Sequence, residues 1–418
     1  MPLLVLHYHE MWLKGGNRRF FLRKFDDSIR VHLSGLGSVN VEQEDGRVLV
    51  AMESERALAE AVNRVKRIFG VAYFSVAAET GRDLPTVGRA AWEQLAPQSF
   101  HTFAVRARRA DKTLPFRSQD AERQIGRAVL DQAAAAGRDI SVNLGKPDLT
   151  CFVEFTRHRA LIYSRKIPGP GGMAAGTAGK LYCLLSGGYD SAVAAYKMMR
   201  RGARISFVHF YGVAAQAGEA SEPVAREIVR VLTAYQGASR LYLVPFHELQ
   251  REVLLGAPES CRILIYRRLM LRIGEALARR RRALGLVTGD SLAQVASQTL
   301  QNMDAVGAVA RLPIYRPLAG DDKQEILDLA RRIGTYEISS ERFSECCPAF
   351  MPRHPMLFAT REELDRAEEK LQIASLVGQG VAAAQAEIYQ LVEGRVVQAE
   401  RKQHAESSAG ALVERGAL

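Results

Sequence analysis

The chain has 418 residues and carries 57 Lys plus Arg against 46 Asp plus Glu, a net charge of +11. Its length suggests about two to three domains with substantial cores, and the basic excess favours a polyanionic partner, nucleic acid before a membrane surface. No apolar run approaches the roughly 18 residues of a membrane span, and the first residues do not form a leader, so the expected location is the cytosol. Five scattered cysteines, Cys151, Cys183, Cys261, Cys346 and Cys347, with no CxxC pair, argue against a disulfide scaffold and a zinc ribbon.

Residues 1–75 alternate an apolar run at Leu3 to Leu6, a helical pattern from Arg18 to Leu33, the strand-like VLVAM and a second helical pattern from Glu55 to Phe69. This order predicts a small α/β unit. Within it, HEMWLKGGNRRFF reads as a glycine loop entering a helix, with Lys14, Arg18 and Arg19 placed to meet phosphate or to sit on a solvated face. Residues 76–166 form a second unit. In TFAVRARRADK alternation predicts a strand with Arg106 and Arg108 on one face and Phe103 and Val105 in a core, followed by Lys112. Ser118 to Ala136 reads as an amphipathic helix opened by Ser118, and CFVEF and ALIYSRK as strands. Residues 167–179, with two prolines and five glycines, read as a linker.

A catalytic unit is expected over residues 180–360. LYCLLSGGYDSAVAAYKMMRRG reads as strand, tight loop and helix. Gly187 and Gly188 admit close backbone approach, and Ser186, Asp190 and Ser191 are available to cap a helix whose N-terminus attracts an anion. It is not the GxxxxGK[ST] nucleotide loop, because no Lys-Ser or Lys-Thr follows the glycines. RISFVHFYG and RLYLVPF continue the alternation of strands and helices, which predicts a doubly wound parallel sheet with ligands beyond the carboxyl ends of its strands. Ser186, His209 and Thr288 fall at such ends. LGLVTGDSLAQVASQT repeats the strand, glycine turn and helix, with Gln294 and Gln298 expected one helical turn apart. Asp322 and Lys323 follow, Lys323 as a group to hold phosphate or neutralise a leaving group. Residues 361–418 read as a two-helix extension with a frayed end.

The SGGYDS loop resembles the PP-loop of the ATP pyrophosphatases, which cleave ATP between its α and β phosphates. In one order, HEMWLKGGNR, TFAVRARRADK, IPGPGGMAAGTAGKLYCLLSGGYDS, LVTGDSLAQVASQT, RPLAGDDKQEILDLARRIGTYEIS and the Cys346–Cys347 pair resemble the tRNA 4-thiouridine synthetase family, the tRNA uracil 4-sulfurtransferases. The resemblance spans residues 1 to about 355. It implies ferredoxin-like and THUMP domains that bind tRNA, then a PP-loop domain. It implies ATP contacts at Leu184, Leu185, Ser186, Gly187, Gly188, Asp190, Ser191, His209, Phe210, Arg267, Gly289 and Gln298, with Mg²⁺ on Asp190. Asp190, Cys347 and Cys346 are the expected catalytic residues, Cys347 by the resemblance receiving persulfide sulfur from a cysteine desulfurase. RNA contacts are expected at Lys14, Arg18, Arg106, Arg108 and Lys112, and a homodimer is left open.

The family pattern ends before the chain does. Many bacterial members carry a C-terminal rhodanese-like domain with a second sulfur-carrying cysteine, whereas no cysteine follows Arg361 here. The sulfur relay is therefore expected to use Cys346, Cys261, Cys183, an external thiol or an iron–sulfur cluster. Rival readings are another PP-loop ligase, a tRNA-binding protein with a relict ATP site, and a secondary role in sulfur supply for thiamine synthesis.

Overall fold

The structure, a computed structural model, describes residues 2–212, 220–340 and 355–399, apart from the side chains of residues 12–14. The first region runs β1 (Leu3–His7), α1 (Arg18–Leu33), β2 (Val39–Glu44), β3 (Arg47–Met52), α2 (Glu55–Val65) and β4 (Tyr73–Thr80). It continues with α3 (Leu84–Leu95), β5 (Thr102–Arg109), α4 (Ser118–Ala135), β6 (Ser141–Val142), β7 (Leu149–Phe155), β8 (Ala160–Tyr163) and β9 (Ile167–Pro168). The apolar run of β1 is buried along its whole length because it lies between β3 and β4, antiparallel to both. The start of β4 pairs with β1 and its end with β8. The two N-terminal units thus share one sheet, ordered β2-β3-β1-β4-β8-β7-β5-β6 with β9 alongside β4.

The second region runs β10 (Lys180–Leu184), α5 (Tyr189–Arg200), β11 (Arg204–Tyr211), α6 (Ser221–Gln236), β12 (Ala238–Pro245), α7 (His247–Gly256) and α8 (Arg262–Arg280). Then come β13 (Leu286–Val287), α9 (Leu300–Gly307), β14 (Ile314–Tyr315), α10 (Lys323–Ile333), α11 (Tyr336–Ser340), α12 (Arg361–Glu368), α13 (Ile373–Ala383), β15 (Gln385–Val392) and β16 (Arg395–Gln398). Strands β14, β13, β10, β11 and β12 are parallel, and two apolar cores enclose them, one built on α8 and the other on α5 and α6. This is the doubly wound α/β arrangement, whose strand ends converge on one edge.

Two expectations are corrected. The helical extension is half sheet: α12 and α13 are helices, but residues 385–398 form a hairpin that adds β15 and β16 antiparallel to the edge of β12. Tyr389 is fully buried there and Leu391 nearly so, and that alternating burial within β15 is the period of a strand. α12 in turn docks on α8 through Glu368, whose carboxylate takes both Arg272 nitrogens at 2.7 Å and lies beside Arg268.

Residues 167–179 are not a free tether. Met173 and Ala174 are buried in the core of the first unit, the Met173 N–H donates to the Arg200 carbonyl, and a Cβ on Gly172 would sit 2.0 Å from that same oxygen. The two halves also meet through Phe69, whose ring lies 5.3 Å from Tyr196 and 5.7 Å from Tyr235, and through His32, whose Nε2 is 3.0 Å from the Ala234 carbonyl. The N-terminal sheet is therefore fixed against the catalytic layer by buried contacts.

Candidate active site

β10 ends in Leu184, and the chain turns through Leu185-Ser-Gly-Gly before α5 begins at Tyr189. Gly188 is the N-cap and no side chain caps the helix, which corrects the capping role expected of Ser186, Asp190 and Ser191. The serines instead fasten the loop to itself. Ser191 Oγ accepts from the Ser186 N–H at 3.1 Å and lies 3.1 Å from Ser186 Oγ, which accepts from the Gly188 N–H at 3.2 Å. A loop closed this way holds its remaining backbone dipoles in place for an anion at the helix start.

The TGDS turn after β13 packs directly on this loop. A Cβ on Gly289 would lie 2.6 Å from the Ser191 nitrogen, so only glycine allows the two backbones to meet. The helix expected through Gln294 and Gln298 is absent: Ala293 has φ 61°, residues 296–298 form a single tight turn, and α9 starts only at Leu300, capped by Thr299. The two glutamines consequently serve different places. Gln294 Nε2 donates to Asp190 Oδ2 at 2.9 Å, while Gln298 Oε1 is buried without a hydrogen-bond partner among the described residues.

Between the two turns lies a cleft of about 230 Å³. Leu184, Leu185, Ser186, Gly187, Asp190, Ser191, His209, Phe210, Arg267, Gly289 and Gln298 all line it; of the residues expected there, only Gly188 does not. Met270, Met303 and Val306 complete an apolar wall, Thr288 lines the cleft from the strand end where the sequence put it, and Ser221, Asp290 and Arg316 add polar groups that the sequence reading did not assign to a site. Asp290 and Arg316 were within reach of it, one inside TGDS and the other opening the RPLAGDDK block. No local signal marks the methionines or Ser221.

Electrostatics divide the cleft. His209 is buried, with Nδ1 2.9 Å from the Leu185 carbonyl and Nε2 2.9 Å from Ser221 Oγ, and burial holds its pKa down at about 4. It is a neutral ring that braces the end of β11 against the loop. Asp290 is buried as well. Burial opposes its ionisation, but Arg267, the Thr288 hydroxyl at 2.8 Å and Arg316 at 3.2 Å outweigh that cost and hold its carboxyl below the usual range. At the mouth, Lys323 Nζ donates to Asp190 Oδ1 at 2.7 Å.

Among the described residues no cluster of three or more His, Cys, Asp or Glu is arranged to hold a metal. Asp190 alone could join a Mg²⁺ that arrives on phosphate oxygens, since Mg²⁺ in phosphate sites takes only one or two protein carboxylates.

The N-terminal basic residues lie elsewhere. Arg106 and Arg108 are exposed on β5 while Phe103 and Val105 face the core, Arg106 donating to the Leu144 carbonyl, and Lys112 is exposed in the following loop. Arg18 opens α1 and donates to the Tyr8 hydroxyl at 3.3 Å. The Lys14 side chain, Cys346 and Cys347 lie outside the described residues. The other cysteines are buried: burial pushes the Cys151 thiol up to about 12 and Cys183 higher still, and Cys261 is 4% exposed.

Comparison with known proteins places three family models along the chain: a ThiI ferredoxin-like domain at residues 3–75, a THUMP domain at 86–165, and the family described as thiamine biosynthesis protein (ThiI) at 176–373. A probable tRNA sulfurtransferase of Thermus thermophilus is 42% identical over 375 residues, covering 90% of this chain and 91% of the relative. One from Caldanaerobacter subterraneus is 37% identical over 90% of this chain and 97% of its own length. Among solved structures, a 4-thiouridine synthetase in complex with RNA and bound ATP superposes with a TM-score of 0.83 at 30% identity, covering 93% of this chain and 99% of the other.

Proposed function

The chain belongs to the ThiI family of tRNA sulfurtransferases, and from that membership we propose that it converts a tRNA uridine, expected at position 8, to 4-thiouridine through an adenylated base. The observation that carries the proposal is the contact of the SGGYDS and TGDS turns, Gly289 on Ser191, around one cleft with an anion-binding end and an apolar end. ATP suits that shape, its adenine against Leu184, Phe210 and Met270 and its phosphates at the loop and Lys323.

In the first step uridine O4 attacks the α phosphorus, N3 gives up its proton, and the bond to the β-phosphate oxygen breaks, releasing pyrophosphate. Lys323 and the remaining N–H groups of the loop, those of Gly187, Tyr189 and Asp190, stabilise the charge that develops on the leaving group. Mg²⁺, held by Asp190, would supply further charge neutralisation at the phosphates. In the second step the terminal sulfur of a Cys347 persulfide, delivered by a cysteine desulfurase, attacks C4 and AMP leaves. A second thiol, on Cys346 or external, then attacks the Cys347 sulfur, forms a disulfide with it and releases the sulfur on C4 as 4-thiouridine. The base must lie outside the helical stack for O4 to reach the α phosphorus, and the basic strand β5 and helix α1 offer phosphate contacts that fix the tRNA.

Incubating the protein with ATP, unmodified tRNA and a persulfide donor should give AMP, pyrophosphate and 4-thiouridine in equal amounts. ADP in place of AMP, or unchanged uridine, refutes the scheme. The family description also favours a second reading, supply of the Cys347 sulfur for thiamine synthesis, which thiamine auxotrophy of a deletion strain would test.

A further inference from the structure

Asp290 is the hub of a charge cluster in the floor of the cleft. Its carboxylate is 7% exposed and bridges two guanidiniums, Arg267 on one oxygen and Arg316 Nε on the other at 3.2 Å. One negative charge against two positive leaves the cluster with a net positive charge facing the cleft. Arg267 spends a further nitrogen on Ser297, with Nη1 3.0 Å from both its carbonyl and its hydroxyl. Arg316 spends Nη2 on the Met303 carbonyl at 3.2 Å, and among the described residues its Nη1 makes no hydrogen bond. Its side chain is 23% exposed, and the surface it exposes lines the cleft beside Met303 and Gln298. A guanidinium pinned at Nε and Nη2 cannot swing away, so the donors left on its third nitrogen are available to a ligand in the cleft at little cost in ordering.

We propose that Arg316 is a nucleotide-binding residue, a second guanidinium held by Asp290 beside Arg267 that donates to the anionic nucleotide. The proposal rests on the reading of this cleft as the ATP site. Asp290 is the positioning residue: it orients both guanidiniums and, with one charge against two, leaves attraction for the ligand.

The test is the dissociation constant of ATP for the full chain without tRNA, measured by calorimetry for the parent, Arg316→Gln and Arg316→Lys. Gln retains a donor for the Met303 carbonyl without the charge, and Lys retains the charge without the fork. A charge-assisted hydrogen bond predicts a loss of affinity of about tenfold for Arg316→Gln and a smaller loss for Arg316→Lys. Binding within twofold of the parent for Arg316→Gln overturns the proposal, as does an equal loss of affinity for adenosine and ATP, because a contact to an anion must depend on the phosphates. If Arg316→Gln does not fold, Arg316→Lys decides alone: unaltered ATP affinity overturns the role, and weakened binding with an unchanged melting temperature supports it. A parent that does not bind ATP overturns both this and the ATP site, whereas a parent that binds ATP without forming 4-thiouridine removes only the reaction scheme.

Discussion

Lys323 Nζ sits 2.7 Å from Asp190 Oδ1, which joins the first residue of α10 to the second residue of α5 across 133 positions of sequence. The same ammonium lies 5.6 Å from the ring centroid of Tyr189, which stacks on Tyr336 at 5.2 Å. The cation is thus held at the cleft mouth by one carboxylate and one aromatic face. If it serves the leaving pyrophosphate, Lys323→Gln lowers the rate of AMP formation about a hundredfold with little change in the KM for ATP. A matching rise in KM would instead assign it to ground-state binding. Tyr189→Leu should cost a few-fold in the same rate and Tyr189→Phe nothing, on the scale of an exposed cation–π contact, about 0.5–1 kcal/mol.

The close approach of the two turns makes Gly289 intolerant of any side chain. Gly289→Ala puts a methyl 2.6 Å from the Ser191 nitrogen, and since both neighbours are backbone the loops must separate. ATP affinity should fall more than about tenfold, read by calorimetry, while Gly320→Ala, where a Cβ meets nothing within 4 Å, leaves it unchanged.

Burial sorts the cysteines. Cys183 and Cys151 have thiols pushed up by desolvation and no route to solvent, and a thiol that does not ionise neither carries nor cuts a persulfide. Cys183→Ala, Cys151→Ala and Cys261→Ala should each keep thiolation within about threefold, any cost coming from packing, whereas Cys347→Ala abolishes it. Loss of 4-thiouridine in a well-folded Cys261→Ala protein would bring that residue back into the relay.

Three buried histidines, His7, His32 and His209, set a pH response, burial lowering the pKa of His32 as well. His209 and His7 both have pKa values lowered to about 4 by burial, against an ordinary value of about 6.5 in the unfolded chain. The unfolded state then binds more protons between these values, so stability is flat above about pH 6.5 and falls as pH drops towards 4, by up to about 1.4 kcal/mol per pH unit for each group. Denaturant unfolding at pH 7 and pH 5 should show this, and His209→Asn should remove one proton's share of the slope. An unchanged slope would mean that His209 is not buried neutral.

The hairpin of β15 and β16 covers the edge of β12 along residues 238–243. Ending the chain at residue 384 uncovers that edge and the buried site of Tyr389, and predicts aggregation on expression with a large fall in melting temperature. Survival of a monomeric, ATP-binding truncation would show that the hairpin is dispensable.

Much of this protein was legible one segment at a time. Alternation placed Arg106 and Arg108 outside and Phe103 inside on β5, and the α1 pattern ended at Leu33, because strand and helix periods are local properties of the backbone. The SGGYDS and TGDS turns were visible for the same reason: a glycine in a tight turn between a strand and a helix needs no distant partner to be recognised. Sequence could not show where side chains go once the turns meet. The serines of the loop bond to each other rather than cap α5, and Gln294 reaches Asp190 while Gln298 faces the cleft because Ala293 breaks the expected helix. The edge of β12 turned residues 385–398 into strands, since an unpaired ladder rewards β structure that isolated propensity does not reveal. The pairing of Asp290 with Arg267 and Arg316, and of Asp190 with Lys323, was likewise decided by the tertiary structure, because those charges are brought within reach only when the parallel strands align their ends.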